Sequence, residues 1–368
     1  MSGVWLVHDY LTQRGGAERV ALALTGAFPG APLLTSFYDP ATTFPGFAAV
    51  DVRTLPLDRI GPLRRRSRAA LPVLAPAFAA HRVRADVVVC SSSGWAHLVR
   101  TSGAKIVYCH SPAKWLYRPD DYLGARAPRQ VRAALAALAP ALRAADRRGA
   151  ATADLYVANS TFVQGQIADV YGIDAEIVFP PAGLDADGPQ QPVPDLEPGF
   201  LLTVARLLPY KHVLDTVEAF RQLPARRLVV VGDGPQRPAL EAALPPNVTL
   251  LTEVGDDRLR WLYASCSGLV SASREDFGLT PVEAASFGKP VAALRFGGHL
   301  DTVVDGRTGV YFDTPTTGAI ADAVHELERR SWDAAAIREH ARAFGEQRFG
   351  ERMRELVARV SASARGGR

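Results

Sequence analysis

Val4-Trp5-Leu6-Val7-His8-Asp9-Tyr10-Leu11-Thr12-Gln13-Arg14-Gly15-Gly16-Ala17-Glu18-Arg19 is the stretch whose reading decides the fold. Val4–Val7 is a short apolar run of strand character, and the polar segment after it ends in two glycines. A helical pattern then runs from Ala17 to about Phe28. Gly15 and Gly16 let backbone approach a ligand without a Cβ in the way. The helix start beyond them offers unpaired amides and a field that favours phosphate. The segment is not GxGxxG, so the usual dinucleotide fingerprint is absent, and a Gly-assisted turn before a helix explains the pair equally well.

Outward from this unit the alternation repeats. Strands are expected at Leu33–Phe37, Val50–Arg53, Asp86–Cys90, Lys105–Cys109 and Leu155–Ala158, with helices at Arg64–Ala80 and Gln130–Ala150. Pro180, Pro181, Pro189, Pro192, Pro194 and Pro198 then interrupt any helix or central strand. The alternation restarts with strands at Leu201–Ala205, Arg227–Val231, Val248–Leu250, Gly268–Val270 and Pro290–Ala293. Helices are expected at His212–Gln222, Asp257–Ala264, Pro281–Phe287, Thr316–Arg329 and from Trp332 onward. Short β-rich runs between longer helical patterns imply parallel sheets covered on both faces. The expected division is residues 1–182 as a first Rossmann-like domain, 183–200 as a linker and 201–340 as a second Rossmann-like domain. Residues 341–368 are expected to form a closing helix and tail that could pack back on the first domain. Ligands of such sheets gather beyond the carboxyl ends of the strands, so a site between the halves is expected.

The bulk numbers agree with a folded globular protein and exclude a disordered one. A length of 368 residues exceeds one ordinary core, and 48% hydrophobic with 22% charged residues is a folded balance. A net charge of +4 fits an anionic small ligand or an anionic membrane surface without demanding either, and no nucleic-acid reader motif occurs. Cys90, Cys109 and Cys266 have no metal-ligand spacing and read as buried thiols of a reducing compartment. The N-terminus reads as an immediate strand with no basic leader, and no stretch approaches the ~20 apolar residues of a membrane span. The expected location is cytoplasmic.

Several loops carry possible chemistry. Arg206 and Lys211 follow a strand on a loop able to curl around a diphosphate, Arg as a fork and Lys as a point charge. They read equally as solvent-facing charges. Gly232-Asp233-Gly234-Pro235 again joins a strand end to a helix, with Asp233 read first as a cap or turn residue. In Ser273-Arg274-Glu275-Asp276-Phe277-Gly278-Leu279-Thr280-Pro281-Val282-Glu283, two carboxylates can address different parts of one long ligand. Thr280, Pro281 and Glu283 also spell a capping box, which by itself is the slightly better reading of Glu283. His110, before Ser111-Pro112, is a loop histidine able to donate to an oxygen and to titrate near neutral pH. No HExxH marks a metal site and no GxSxG elbow marks a Ser–His–Asp hydrolase.

Taken in order, these residues resemble the large retaining glycosyltransferase family that includes sucrose synthase and bacterial phosphatidylinositol mannosyltransferases. It is commonly called glycosyltransferase family 4. Gly15-Gly16-Ala17-Glu18 is similar to its donor-phosphate loop, Arg206 with Lys211 to its paired phosphate-binding cations, and Gly232-Asp233-Gly234-Pro235 to a further typical element. Glu275 through Glu283, continuing into Gly288-Lys289-Pro290-Val291, resembles its E-x7-E region and the strand entrance that follows.

The resemblance implies an α/β GT-B fold, two Rossmann-like domains facing across a deep cleft. It implies that Gly16 faces the donor diphosphate, that Arg206 and Lys211 neutralise the departing nucleotide, and that Glu275 lies near the donor sugar. Asp276 belongs to the same donor-binding loop, and Phe277, Gly278 and Leu279 present backbone amides. Glu283 holds the ribose hydroxyls and His110 contacts the sugar from the first domain. His110-Ser111-Pro112 resembles a subgroup of mannosyltransferases, although Lys114-Trp115-Leu116-Tyr117 departs from its usual continuation. The implied chemistry is direct transfer of a hexose with retention, without a metal or other cofactor. GDP-mannose is the first expected donor and a UDP-hexose the next.

The acceptor is read more coarsely, as a glycan, a lipid-linked acceptor or a small molecule. Arg64, Arg65, Arg66 and Arg68 lead into an apolar segment that could meet an anionic membrane, or simply end a basic helix packed on its domain. Other GT-B chemistry, such as nucleotide-sugar epimerisation, stays open, as does a non-catalytic nucleotide-sugar-binding protein.

Overall fold

The computed structural model describes residues 3–65, 70–119 and 129–366. It has the expected α/β architecture and divides into two compact units. One comprises Met1–Pro181 with Glu346–Arg368, the other Ala182–Gly345.

The first unit holds a seven-stranded parallel sheet in the order β3-β2-β1-β5-β7-β8-β9. Its strands are β1 (Val4–His8), β2 (Leu33–Thr35), β3 (Val52–Thr54), β5 (Val87–Ser92), β7 (Ala104–Cys109), β8 (Leu155–Ala158) and β9 (Glu176–Ile177). β4 (Arg82–Val83) and β6 (Arg100–Thr101) form a separate short pair. Central strands read as unbroken apolar runs because both faces are covered. In β5, Val88 and Cys90 enter one core while Val87 and Val89 enter the other. The second of these cores is completed by the last helix, Glu346–Gly366, through Phe349, Met353, Leu356 and Val357. Phe349 meets Tyr108 edge-to-face at 5.7 Å, and Arg352 reaches Glu176 at 2.9 Å.

The second unit holds six parallel strands in the order β12-β11-β10-β13-β14-β15. They are β10 (Leu201–Val204), β11 (Leu228–Val231), β12 (Val248–Leu251), β13 (Gly268–Ser271), β14 (Val291–Leu294) and β15 (Gly309–Phe312). Residues 183–200 carry no regular element and are bound to this unit. Leu184 and Phe200 are buried in its core, and Arg260 donates to the carbonyls of Asp185 and Pro189 at 2.8 and 3.2 Å.

Each sheet reverses its strand order beside its first strand, between β1 and β5 and between β10 and β13. At such a point neighbouring connections leave in opposite directions and open a crevice at the strand ends. The residues singled out from sequence fall at these two places.

Candidate functional site

In the first unit the crevice is built by the ends of β1, β5 and β7. His8 and Ser91 are register partners, as are Ser92 and Cys109. Ser91 Oγ lies 3.0 Å from His8 Nδ1 and 2.8 Å from His110 Nε2, joining three strand ends in one string. His8 Nδ1 is also 3.2 Å from the Ser91 carbonyl. The Asp9 carboxylate accepts from the amides of Ser93, Trp95 and Ala96 at 2.7, 2.7 and 2.8 Å, anchoring the loop after β5. Charge-assisted bonds of this kind fix a loop firmly. The Asn159 amide holds the His110 carbonyl at 3.1 Å. Neither His8, Asp9 nor Ser91 carried a role in the sequence reading, because their partners lie on other strands.

His110 corrects an expectation. It does not titrate near neutral pH: burial, with His8 beside it, lowers its pKa to about 3. Burial also lowers His8, against the opposing pull of Asp9. This pocket therefore presents neutral hydrogen-bonding groups.

Gly16 begins the helix Gly16–Ala27 and is exposed; Gly15 is its N-cap. Glu18, buried in the first turn, accepts from Gln13 at 2.9 Å. A Cβ on Gly15 would stand 2.4 Å from the Glu18 carboxylate, so the small residue keeps that carboxylate in place.

Another string, Ser92–His97–Asp146, has Ser Oγ 3.2 Å from His97 Nδ1 and Asp146 Oδ1 3.1 Å from His97 Nε2. All three are buried. Its serine is sealed inside the unit.

The second unit brings loops from four strand ends together. The loop after β10 and the one after β11 are bonded back to back, Leu207 N to Asp233 O at 2.9 Å and Gln236 N to Leu207 O at 3.1 Å. A Cβ on Gly232 would lie 1.9 Å from the Ala205 carbonyl oxygen, so only glycine fits. Asp233 is exposed and turns back to its neighbour, accepting from Gly234 N at 2.7 Å, the cap or turn role read first from sequence. Arg206 is exposed on this loop, and its side chain takes no partner among the described residues.

Lys211 ends a short 3-10 turn, Pro209–Lys211, and pairs with Glu275. The two loops are also tied through backbone, Arg274 N to Tyr210 O at 3.0 Å. Both charged groups keep some access to solvent, with side chains 13% and 20% exposed. An ion pair in that setting can exchange partners when an anion arrives.

Gly278 caps the next helix, Leu279–Ser286, with φ +91°, and here the capping-box reading fails. The cap falls two residues before the expected Thr280, so Glu283 lies too deep in the helix to reach back to it. Instead, Glu283 is buried and accepts from the Tyr263 hydroxyl at 2.8 Å. Asp276 is half-buried, and Phe277 is buried against Phe344 at 5.8 Å.

Sequence reasoning missed what supports this loop. Gly298 N donates to Glu275 O at 3.1 Å, and a Cβ on Gly298 would meet the Phe277 Cα at 2.2 Å. His299 is fully buried, between the Leu294 carbonyl at 3.0 Å and Ser271 Oγ at 3.2 Å. Its ring fills the space a Gly278 side chain would need. The available signal was the Gly297-Gly298 pair directly after a strand.

Arg66 and Arg68 lie outside the described residues. No helix among the described residues is long and apolar enough to cross a membrane. Among the same residues, no three His, Cys, Asp or Glu side chains are grouped so as to hold a metal ion.

Comparison with known proteins adds the family. Residues 14–187 match the family described as Glycosyltransferase Family 4, and residues 187–346 match Glycosyl transferases group 1. A GDP-mannose-dependent alpha-(1-6)-phosphatidylinositol monomannoside mannosyltransferase of Mycolicibacterium smegmatis is 28% identical over 226 residues, 54% of this chain and 59% of that protein. A GDP-mannose-dependent alpha-mannosyltransferase of Mycobacterium tuberculosis is 37% identical over 132 residues, 34% of each. The matches thus span less than two thirds of either relative. Among solved structures, HepE of Anabaena, crystallised with UDP and glucose, superposes with a TM-score of 0.70 at 17% identity, covering 96% of this chain and 99% of that one. At that identity the likeness shows the fold.

Proposed function

For a chain that belongs to the family-4-like glycosyltransferases of GT-B fold, we propose retaining transfer of a hexose, mannose first, from a nucleotide diphosphate sugar to an acceptor hydroxyl. The observation that carries this is the loop cluster of the second unit. There Lys211, Glu275 and the start of the helix Leu279–Ser286 are held together by backbone ties, with Arg206 exposed on the adjoining loop. Such a cluster suits an anionic bridge with a sugar at its end.

Arg206 and Lys211 are proposed to stabilise the departing diphosphate, because their attraction grows as negative charge collects on the leaving oxygen. The amides around Phe277, Gly278 and Leu279 would meet the bridge or sugar hydroxyls, with Gly232, Asp233 and Asp276 shaping the loops around them. Glu283 would hold the ribose, and the Tyr263 bond already fixes its carboxylate. From the first unit, Gly15 and Gly16 would serve the phosphates and His110 the sugar. The nucleotide phosphate itself would accept the acceptor's proton, so no protein base and no metal is assigned.

GDP-mannose is the proposed donor on the strength of the similar mannosyltransferases, with a UDP-hexose next. The proposed acceptor is a glycan, a glycolipid or a small molecule, met in the cytoplasm or at the inner membrane face. The decisive experiment offers intact GDP-mannose and UDP-glucose with candidate acceptors and reads the product anomer by NMR. An axial product from an axial donor is expected. An inverted product, or donor returned as its epimer, would defeat the assignment.

A further inference from the structure

We propose that His8 and Ser91 are positioning residues that hold His110 in the tautomer presenting Nδ1–H as a hydrogen-bond donor to an oxygen of the bound sugar. The inference rests on the donor reading above and extends it to two residues on neighbouring strands.

Ser91 Oγ lies between two imidazoles, 3.0 Å from His8 Nδ1 and 2.8 Å from His110 Nε2. A hydroxyl has one proton and can give it to only one of them. The Ser91 carbonyl breaks the tie. It lies 3.2 Å from the same His8 Nδ1, and a carbonyl only accepts. His8 Nδ1 must therefore carry a proton, whatever the charge on that ring, since a bare nitrogen there would face a second lone pair.

Ser91 Oγ then accepts from His8, and His110 Nε2 is the one acceptor left within reach of its own proton among the described residues, so the proton goes there. A neutral His110 must carry its proton on the other nitrogen, Nδ1. Neutrality follows from its surroundings: burial and the adjacent His8 hold it far below ordinary histidine behaviour. Backbone fixes the ring's place, since His110 N donates to Ser92 O at 2.9 Å and Asn159 holds its carbonyl. Nδ1 takes no hydrogen-bond partner among the described residues.

The chemistry of the ligand follows. An Nδ1–H donor takes a hydroxyl or other neutral oxygen, as a hexose displays. The one lone pair of His110 is already engaged by Ser91, so this ring can hold the sugar but cannot remove the acceptor's proton.

The test uses full-length protein labelled with 15N-histidine and a long-range proton–nitrogen spectrum, which distinguishes the two tautomers directly. Wild type is expected to show His110 protonated at Nδ1. Ser91→Ala is expected to lose that single pattern and to weaken GDP-mannose by about three- to tenfold while GDP binding stays unchanged, the scale of one neutral hydrogen bond. His8→Asn, whose amide can donate from near the Nδ1 position, is expected to retain both properties, and His8→Leu to lose both.

A His110 protonated at Nε2 in wild type would overturn the proposal. So would a Ser91→Ala protein with an unaltered tautomer and unaltered GDP-mannose affinity. If the wild-type tautomer is as expected but neither GDP-mannose nor UDP-glucose binds, the donor reading fails while the His8–Ser91–His110 arrangement stands.

Discussion

The two switch-point regions share a topology and differ in electrical character. At the end of β1, the first unit gathers His8, Ser91 and His110, buried and held neutral. At the end of β10, the second unit gathers Arg206, Lys211 and Glu275, charged and partly open to solvent. The same fold position thus carries two kinds of chemistry, one suited to hydroxyls and the other to an anion. Placement comes from the fold; chemistry comes from a few loop residues.

The largest effect should come from the charged region. Lys211→Ala is expected to lower kcat/KM by about 10²-fold or more, the usual scale for removing one preorganised stabiliser of transition-state charge. Steady-state kinetics with GDP-mannose check this, and an unchanged kcat/KM would break the contrast. Gly298→Ala comes next. Its Cβ has no room beside Phe277, so the Glu275 loop must shift, and about 10-fold loss of kcat/KM is expected from misplacement alone. Activity at the wild-type level would show that the backbone contact does not fix the loop.

Glu275→Gln should split binding from turnover. Removing the carboxylate frees Lys211 of its partner, so GDP alone is expected to bind a few-fold more tightly while transfer slows. Isothermal calorimetry beside rate measurement reads both, and weaker GDP binding would contradict the partner exchange.

The smallest effect on turnover belongs to the neutral region, which sharpens the comparison through the pH dependence of stability. His110 has its folded pKa lowered to about 3, below the ordinary value of 6.5. The unfolded chain therefore binds the proton first as pH falls. The stability associated with neutral His110 is present above about 6.5 and is lost progressively toward 3. Denaturant melts across this window should show the decline, and His110→Gln should flatten it. Between pH 7 and 8 the ring should contribute no pH dependence to kcat/KM.

Much of this fold was legible because its central strands are continuous apolar runs between helical patterns. β8 falls at the expected Leu155–Ala158, and β5 differs from its expected span only at the ends. The two-residue β9 and the edge strand β15 were not read, since so short or marginal a run carries no distinctive pattern. At the site, residue types on loops were visible, while their pairings were not. Ser91 joins His8 across 83 residues and Lys211 meets Glu275 across 64, distances over which only the folded chain can act. The Thr280–Glu283 pattern misled for a local reason. Gly278 can turn with φ +91° where another residue would be strained, and that turn starts the helix earlier.

The final helix, Glu346–Gly366, completes a core whose other walls come from Leu6, Leu24 and Tyr108. Those walls leave the ribosome before their covering element, with the entire second unit synthesised in between. The nascent N-terminal half must therefore wait with an oily surface uncovered, a period when chaperones or aggregation compete for it. A fragment ending at Pro181 should carry the same vulnerability permanently, and adding the 346–366 peptide in trans should relieve it.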